Sequence, residues 1–285
     1  MRVGGIFETG SARYQPDRAF TLGDNPFYVL NQQKLAFIVG VIALLLPLAL
    51  LVSSRFGVCF YHSISHFYYS RFMGGVFVGC LFIIGAFLLA YRGKNRAESV
   101  LATLAGICAF GVALFPTSGR GCDDADFFGR PFAAITAAEP GGLTLAPPTP
   151  PGTFFAMFDG AAVIHYVSAA LLFAFLAWYC FAVFTRIVDA EHRRPDGRLK
   201  PQKLVRNVLY VASGTIIVLA MLAMGANGVY ERVVGAPLPG WTAYRLTFVA
   251  ETAALWAFGL SWMVRGRFFG LFLLDDSERR ATAGP

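Results

Sequence analysis

Charged residues are scarce in this chain. Only 14% of its 285 residues are Asp, Glu, Lys or Arg, whereas 56% are hydrophobic. A soluble domain usually carries about 25% charged residues, so this composition argues against a globular fold surrounded by water. The net charge of +7 is not concentrated beside any nucleic-acid-binding motif, so we expect no nucleic-acid partner.

Several sequence patterns are missing as well. The five cysteines form no CxxC pair and no zinc-ribbon spacing, and HExxH is absent from the sequence. No internal repeat is visible, which leaves transporters built from inverted repeats without support. Residues 1–34 lack a short apolar core followed by a small-residue cleavage site. We therefore expect no cleaved signal peptide and a first apolar helix that stays in the protein.

Six long apolar stretches dominate the sequence instead. A bilayer core needs about 20 helical residues, because each residue adds 1.5 Å. In lipid, only helices and closed barrels satisfy their own backbone, and these runs are too continuous for barrel strands. The sequence therefore predicts an all-α fold, an integral membrane bundle of six transmembrane helices over residues 35–264. The predicted spans are residues 35–53, 72–91, 97–116, 160–185, 207–228 and 244–264.

The basic residues predict how this bundle is oriented. Cytoplasmic loops of membrane proteins hold an excess of Lys and Arg. With the N-terminus in the cytoplasm, the outer segments hold only six of the 24 basic residues, which are Arg55, Arg71, Arg120, Arg130, Arg232 and Arg245. Both termini are therefore predicted to be cytoplasmic. Residues 1–34 and 265–285 then form cytoplasmic tails, residues 54–71 form a first outer loop, and residues 117–159 form a long outer loop.

Small residues on two predicted helices are spaced for close packing. The pairs are Gly75 with Gly79 and Ala102 with Gly106. Small residues four apart let helix backbones approach each other in lipid, so we expect both pairs to pack inside the bundle.

Large aromatic residues fall near the predicted inner ends of two helices. Amphipathic rings favour the depth of the membrane interface. We therefore expect an aromatic belt there, formed by Trp178, Tyr179, Trp256 and Trp262.

Two cysteines, Cys59 and Cys122, lie outside the predicted helices. The predicted topology puts both on the outer side, where an oxidising environment favours disulfides. They are therefore a candidate disulfide, which would tie the first outer loop to the loop over residues 117–159. Their distance is not readable from sequence, so two free thiols are the alternative.

Ionisable and hydroxyl residues converge on the predicted outer ends of the helices. His165 and Glu251 lie within the fourth and sixth spans, roughly 7–10 Å below their outer ends. Ionisable residues in a span usually face the bundle interior and pair with another group. We expect these two to lie close enough to interact directly or through one water or ion. In the first outer loop, His62 and His66 would share a face if that segment were helical.

Three interpretations of this cluster stay open. In the first, His165 and Glu251 form a structural pair that joins two helices. In the second, the cluster lines an outward-facing pocket for a lipid headgroup or another ligand, formed by Ser63, Ser65, His66, His165, Ser168, Thr247 and Glu251. In the third, a divalent metal such as zinc is bound by side chains from separate segments, which are His62, His66, His165, Asp123 and Glu251.

Four segments of this sequence resemble a known family. They are SISHFYYSRFMGGVFVG, LAGICAFGVALFPT, IHYVSAALLFAFLA and ETAALWAFGLSW, within about residues 60–265. The pattern is similar to bacterial multi-helix membrane proteins of the domain-of-unknown-function family 998 and its relatives. There an SIS-type motif precedes a helix, the third helix ends in FP, and a histidine opens the fourth. The matching positions are Ser63, Ile64, Ser65, Phe115, Pro116 and His165. The resemblance implies a helical membrane bundle and no particular reaction.

A looser similarity points to ceramidase-like membrane hydrolases, which combine Ser, Asp and His around zinc. Those enzymes have seven helices and a late pair of histidines. This chain has six predicted spans and no histidine after His192. These departures weaken the hydrolase interpretation.

Taken together, these features predict a multi-pass protein of a bacterial cytoplasmic (inner) membrane. Its predicted role is non-enzymatic: it binds lipid or a partner, or supports assembly, with an outward-facing polar pocket. Membrane lipids, including bound lipid, and other membrane subunits are the expected partners, and no cofactor is expected. The alternatives are a zinc-dependent hydrolase acting on a lipid and a small-solute transporter. The transporter ranks last, because the inner halves of the spans show little polarity beyond Glu98 and Asn207.

Overall fold

The structure is a computed structural model, and it describes residues 26–56, 58–93, 95–117, 160–187, 192 and 196–266. Six long helices make up this part of the chain. They are α1 (Pro26–Ser53), α2 (Arg71–Ala90), α3 (Arg96–Leu114), α4 (Ala161–Trp178), α5 (Pro201–Val234) and α6 (Leu246–Arg265). Two 3-10 helices, Ser54–Phe56 and Ser65–Tyr69, lie between α1 and α2. A π-helical turn, Tyr179–Phe184, continues α4.

All six helices are long and apolar enough to cross a membrane, as predicted. The largest difference concerns α5, which has 34 residues and extends beyond both ends of the predicted span 207–228. At 1.5 Å per residue it is about 51 Å long, whereas a bilayer core is about 30 Å thick. Pro201 opens the helix and Gly235, with φ 81°, ends it. These start and stop residues set the length of α5 independently of hydrophobicity.

The helices form a closed ring in chain order. Each helix packs against the next one, and α6 returns to pack against α1. One end of the ring carries residues 58–70, 115–117 and 235–245, and we call it the outer end after the predicted orientation. The other end carries, among the described residues, 91–93, 95, 185–187 and 196–200, and we call it the inner end.

Aromatic side chains fill the interior of the helix bundle at its inner half. Trp262 is 1% exposed and packs edge-on against Phe87, Tyr91 and Phe184. Tyr179 is fully buried beside it. The predicted aromatic belt is therefore wrong for these two residues, because edge-to-face packing inside the bundle holds them away from its surface.

The two pairs of small residues have opposite surroundings. A Cβ atom added at Gly106 would lie 2.8 Å from the Gly85 carbonyl of α2, and Ala102 is fully buried. This confirms close packing between α2 and α3. A Cβ atom at Gly75 or Gly79 would meet nothing within 4 Å. The expectation that this second pair packs inside the bundle is wrong, because it lies on the outward face of α2.

Candidate functional site

The SIS segment of the first outer loop encloses the carboxylate of Glu251. The Ser63 hydroxyl lies 2.9 Å from both Oε1 and Oε2, and the Ile64 N–H donates to Oε2 at 2.6 Å. The Ser65 N–H in turn donates to the Ser63 hydroxyl at 3.1 Å. The structure therefore brings together three of the residues predicted to form a site, Ser63, Ser65 and Glu251.

Two more contacts fix this loop against the start of α6. The Phe248 N–H donates to the His62 carbonyl at 2.9 Å. The Arg245 Nε donates to the Phe60 carbonyl at 3.2 Å, and its guanidinium lies 4.5 Å from the Phe60 ring centroid. Since residues 245, 248 and 251 are three apart, they line one face of the helix. The first outer loop packs against this face of α6. The sequence did not identify Arg245 as part of the contact.

Apolar packing makes the loop part of the protein core. Tyr61, Ile64 and Phe67 are buried and belong to one cluster with Leu50 and Phe248. Burial raises the pKa of the Tyr61 hydroxyl from 10.0 to about 12, because the phenolate would lose its hydration. The outer end is thus a packed structure, and the hydrogen bonds to Glu251 lie within it.

Tyr69 links the same loop to the end of α3. Its hydroxyl donates to the Thr117 carbonyl at 2.6 Å. Burial, with smaller contributions from Tyr68 and Tyr166, raises the pKa of Tyr69 above its ordinary value. This hydroxyl therefore stays protonated, as a donor to a carbonyl must.

His165 interacts with α3, whereas Glu251 interacts with the loop. The His165 ring is 2% exposed, and its Nδ1 lies 2.8 Å from the Phe115 carbonyl. A carbonyl only accepts, so Nδ1 carries the proton. Ser168, one turn further along α4, lies so close to Gly111 of α3 that a Cβ atom there would collide with its hydroxyl. No hydrogen bond joins His165 to Glu251 in the part of the chain that the structure describes, and α4 and α6 touch at few points because α5 lies between them in the order of the ring.

The remaining predicted site residues have separate positions. The Thr247 hydroxyl accepts from the Trp241 Nε1 at 2.8 Å. His62 lies in a bend and His66 in a 3-10 helix, so their spacing does not give them one α-helical face. Asp123 lies outside the described residues. Among the residues that are described, no group of three or more His, Cys, Asp or Glu is arranged to hold a metal ion.

The cysteines divide into two kinds. Cys59 is disulfide-bonded, whereas Cys80, Cys108 and Cys180 are free thiols within helices. Cys122 lies outside the described residues, so its pairing with Cys59 stays a prediction.

A second buried carboxylate, that of Glu98, lies at the inner end, and from the sequence this residue was noted but not assigned to a site. Glu98 is 1% exposed, and its Oε1 lies 2.5 Å from the Arg186 guanidinium. The Asn95 side-chain amide also donates to Oε1, and its carbonyl oxygen accepts from the Glu98 N–H, both at 2.9 Å. Asn95 is the N-cap of α3 and Glu98 is its third residue. This spacing is the signal that predicts the helix start, although it does not predict Arg186.

Side chains from α5 complete the inner end. Lys203 is buried, and its ammonium donates to the Phe184 carbonyl at 3.0 Å. The Asn207 amide donates to the Thr185 carbonyl at 3.2 Å. These bonds satisfy carbonyls that the end of a helix leaves without intrahelical partners.

Comparisons with known proteins add no relative to this picture. No family model, no curated protein and no solved structure matches the chain. The resemblance to the domain-of-unknown-function family 998 therefore stays a prediction.

Proposed function

We propose that this protein is a non-enzymatic multi-pass protein of a bacterial cytoplasmic membrane, with both termini in the cytoplasm, that assembles with another membrane-embedded chain along α5. One observation carries the proposal, namely the open face of α5. Only 28% of the most apolar 18-residue window of α5 is buried within the chain, against 39–50% for the other five helices.

Small residues on this face support a helix as the partner. A Cβ atom at Gly225 or Gly228 would meet nothing within 4 Å. Ala223 and Ala226 on the same helix are exposed as well. A glycine inside a helix costs about 1 kcal/mol relative to alanine, and contacts within the chain do not offset that cost here. Small residues allow the close backbone approach by which helices associate in lipid.

The outer polar cluster fits a structural role in such a protein. Both oxygens of Glu251 accept hydrogen bonds from the loop that covers them. The carboxylate therefore anchors the first outer loop to α6 and keeps that end of the bundle ordered. The zinc-dependent lipid hydrolase and the solute transporter remain the alternatives, and no contact among the described residues favours either.

A photo-crosslinking side chain at position 225 tests the proposal in native membranes of cells making the full chain. We expect crosslinks to a protein segment, either a second copy or another membrane subunit, which peptide mapping identifies. Position 174 on α4 is the matched control, because Ala174 is also exposed on a membrane-length helix. Equal yields of protein crosslinks at positions 225 and 174, or lipid adducts alone at both, would contradict the proposal.

Substitutions give a second test of the same face. Gly225→Leu combined with Gly228→Leu fills the open space and is expected to abolish a crosslink from position 229. A Cβ atom at either position meets nothing within 4 Å among the described residues and both positions are exposed, so we expect the bundle to fold. Ala170→Leu combined with Ala174→Leu adds bulk to exposed positions of α4 and is expected to leave the crosslink intact.

A further inference from the structure

A groove of about 290 Å³ lies on the outward surface of α3 at its inner end. It is lined by Arg92, Arg96, Ser99, Val100, Thr103 and Leu104. The five positions from Arg96 onward follow the three- and four-residue spacing of one face of α3, and Arg92 lies in the loop before the helix. They lie on the side of α3 that points away from the ring, whereas Glu98 and Ala102 point into it.

The chemistry of the groove changes along the helix axis. Two guanidinium groups stand at the inner end, and beyond them the hydroxyls of Ser99 and Thr103 alternate with the apolar side chains of Val100 and Leu104. Ile107 follows Leu104 on the helix outside the groove lining, and these three apolar side chains are each 49–55% exposed. Arg96 and Ile107 are separated by about 16 Å along the axis, at 1.5 Å per residue. That length is close to one leaflet of a hydrocarbon core about 30 Å thick.

The two arginines are the binding groups available in this groove. Neither Arg92 nor Arg96 forms an ion pair or a hydrogen bond with another described residue, whereas Arg186 at the same end is paired with Glu98. The hydroxyls of Ser99 and Thr103 form hydrogen bonds with nearby backbone groups. Ser99 accepts from the Gly93 N–H at 3.0 Å, and Thr103 donates to the Ser99 carbonyl at 3.0 Å. The Ser99 contact holds the turn before α3, and with it the position of Arg92.

We propose that this groove binds one anionic phospholipid. Its headgroup phosphate lies between the guanidinium groups of Arg92 and Arg96, and one acyl chain follows Val100, Leu104 and Ile107. Guanidinium groups bind phosphate oxygens in pairs and are more weakly hydrated than ammonium groups. The apolar side chains along the groove distinguish a lipid from free phosphate, because only a lipid has an acyl chain that can contact them. In the predicted orientation the site faces the cytoplasmic leaflet, where anionic lipids attract basic side chains.

Native mass spectrometry of the purified full chain tests this assignment. The protein is reconstituted in phosphatidylcholine with a minor fraction of phosphatidylglycerol, and retained lipids are counted after transfer to detergent. We expect one phosphatidylglycerol to be retained in preference to phosphatidylcholine. Arg92→Gln combined with Arg96→Gln should lower its retention roughly tenfold. The matched control is Lys34→Gln combined with Arg198→Gln, which removes two charges on the same predicted side outside the groove and should retain the lipid.

The outcomes distinguish a specifically bound lipid from attraction by general surface charge and from a site for a free anion. Equal retention of the two lipids, or equal loss in both double variants, overturns the assignment, because general surface charge would then explain binding. Leu104→Asn should reduce lipid retention, and its exposed position spares the core. Unchanged retention in that variant, together with displacement by inorganic phosphate, would show an anion site without a lipid chain and would also overturn it. Since the groove lies on α3, none of these results alters the crosslinking test on α5.

Discussion

The two ends of the bundle each contain a buried or half-buried carboxylate, but they satisfy it in different ways. At the inner end, Glu98 pairs with the cation of Arg186 and with the Asn95 amide. At the outer end, the donors to Glu251 among the described residues are neutral, namely the Ser63 hydroxyl, the Ile64 N–H and the Ser65 side chain. The inner carboxylate joins the start of α3 to the end of α4, whereas the outer one joins a loop to α6.

This difference shows two ways of placing an acid in an apolar bundle. An ion pair is strong in a low dielectric, but removing one partner leaves a buried, uncompensated charge that destabilises the folded state. Neutral donors bind more weakly, yet a neutral amide can replace the acid and keep some of their hydrogen bonds. We therefore expect the inner end to respond more strongly to loss of charge and the outer end to loss of hydrogen-bonding geometry.

The largest effect is expected from Arg186→Ala. Removing the cation leaves the buried Glu98 without the charge of Arg186, which should lower the free energy of unfolding by about 2 kcal/mol. The value lies below that of a fully buried pair because the Arg186 side chain is 38% exposed. Equilibrium unfolding in mixed micelles measures it. Glu98→Gln combined with Arg186→Ala should cost less than the sum of the single changes, and strict additivity would mean that the pair does not stabilise the inner end.

A smaller effect is expected from changes at Glu251. Glu251→Ala leaves the Ser63 hydroxyl and the Ile64 N–H without an acceptor and should cost about 1.5 kcal/mol. Glu251→Gln keeps one carbonyl oxygen and should cost less than half as much. Hydrogen exchange of the amides over residues 58–70 should rise in the same order, while exchange over residues 91–100 stays unchanged. Equal effects of Ala and Gln would show that the hydrogen bonds are not what holds the loop.

The smallest effect concerns alkaline pH at the outer end. Tyr61 has a pKa of about 12 in the folded protein, against about 10 when exposed. A raised pKa means that the folded state favours the protonated form, so this stabilisation is complete below about pH 10. It is lost as the pH rises through about 12. Phenolate absorbance during an alkaline titration should therefore show a late step that Tyr61→Phe removes, and an unchanged titration curve would contradict the burial of this hydroxyl.

Length and hydrophobicity determined the number of helices from the sequence alone. A segment in lipid must satisfy its own backbone, and this requirement is local to each stretch of chain. The predicted spans also placed Ser63, Ser65 and Glu251 near one end of the bundle. The two serines lie in the loop between two spans, and the depth of Glu251 follows from counting residues along its helix. The hydrophobic pattern did not determine the ends of α5, since Pro201 and Gly235 set them independently of hydrophobicity.

Only the tertiary structure decided which faces of the helices meet. His165 and Glu251 were predicted at matching depth, yet one bonds to α3 and the other to the first outer loop. Gly75 and Gly79 have the spacing of Ala102 and Gly106 but point away from the bundle. The depth of a residue follows from the rise per residue of its own helix. Which neighbour its side chain meets depends instead on the order of the helices in the ring. That order depends on contacts between residues distant in sequence, which no single segment encodes.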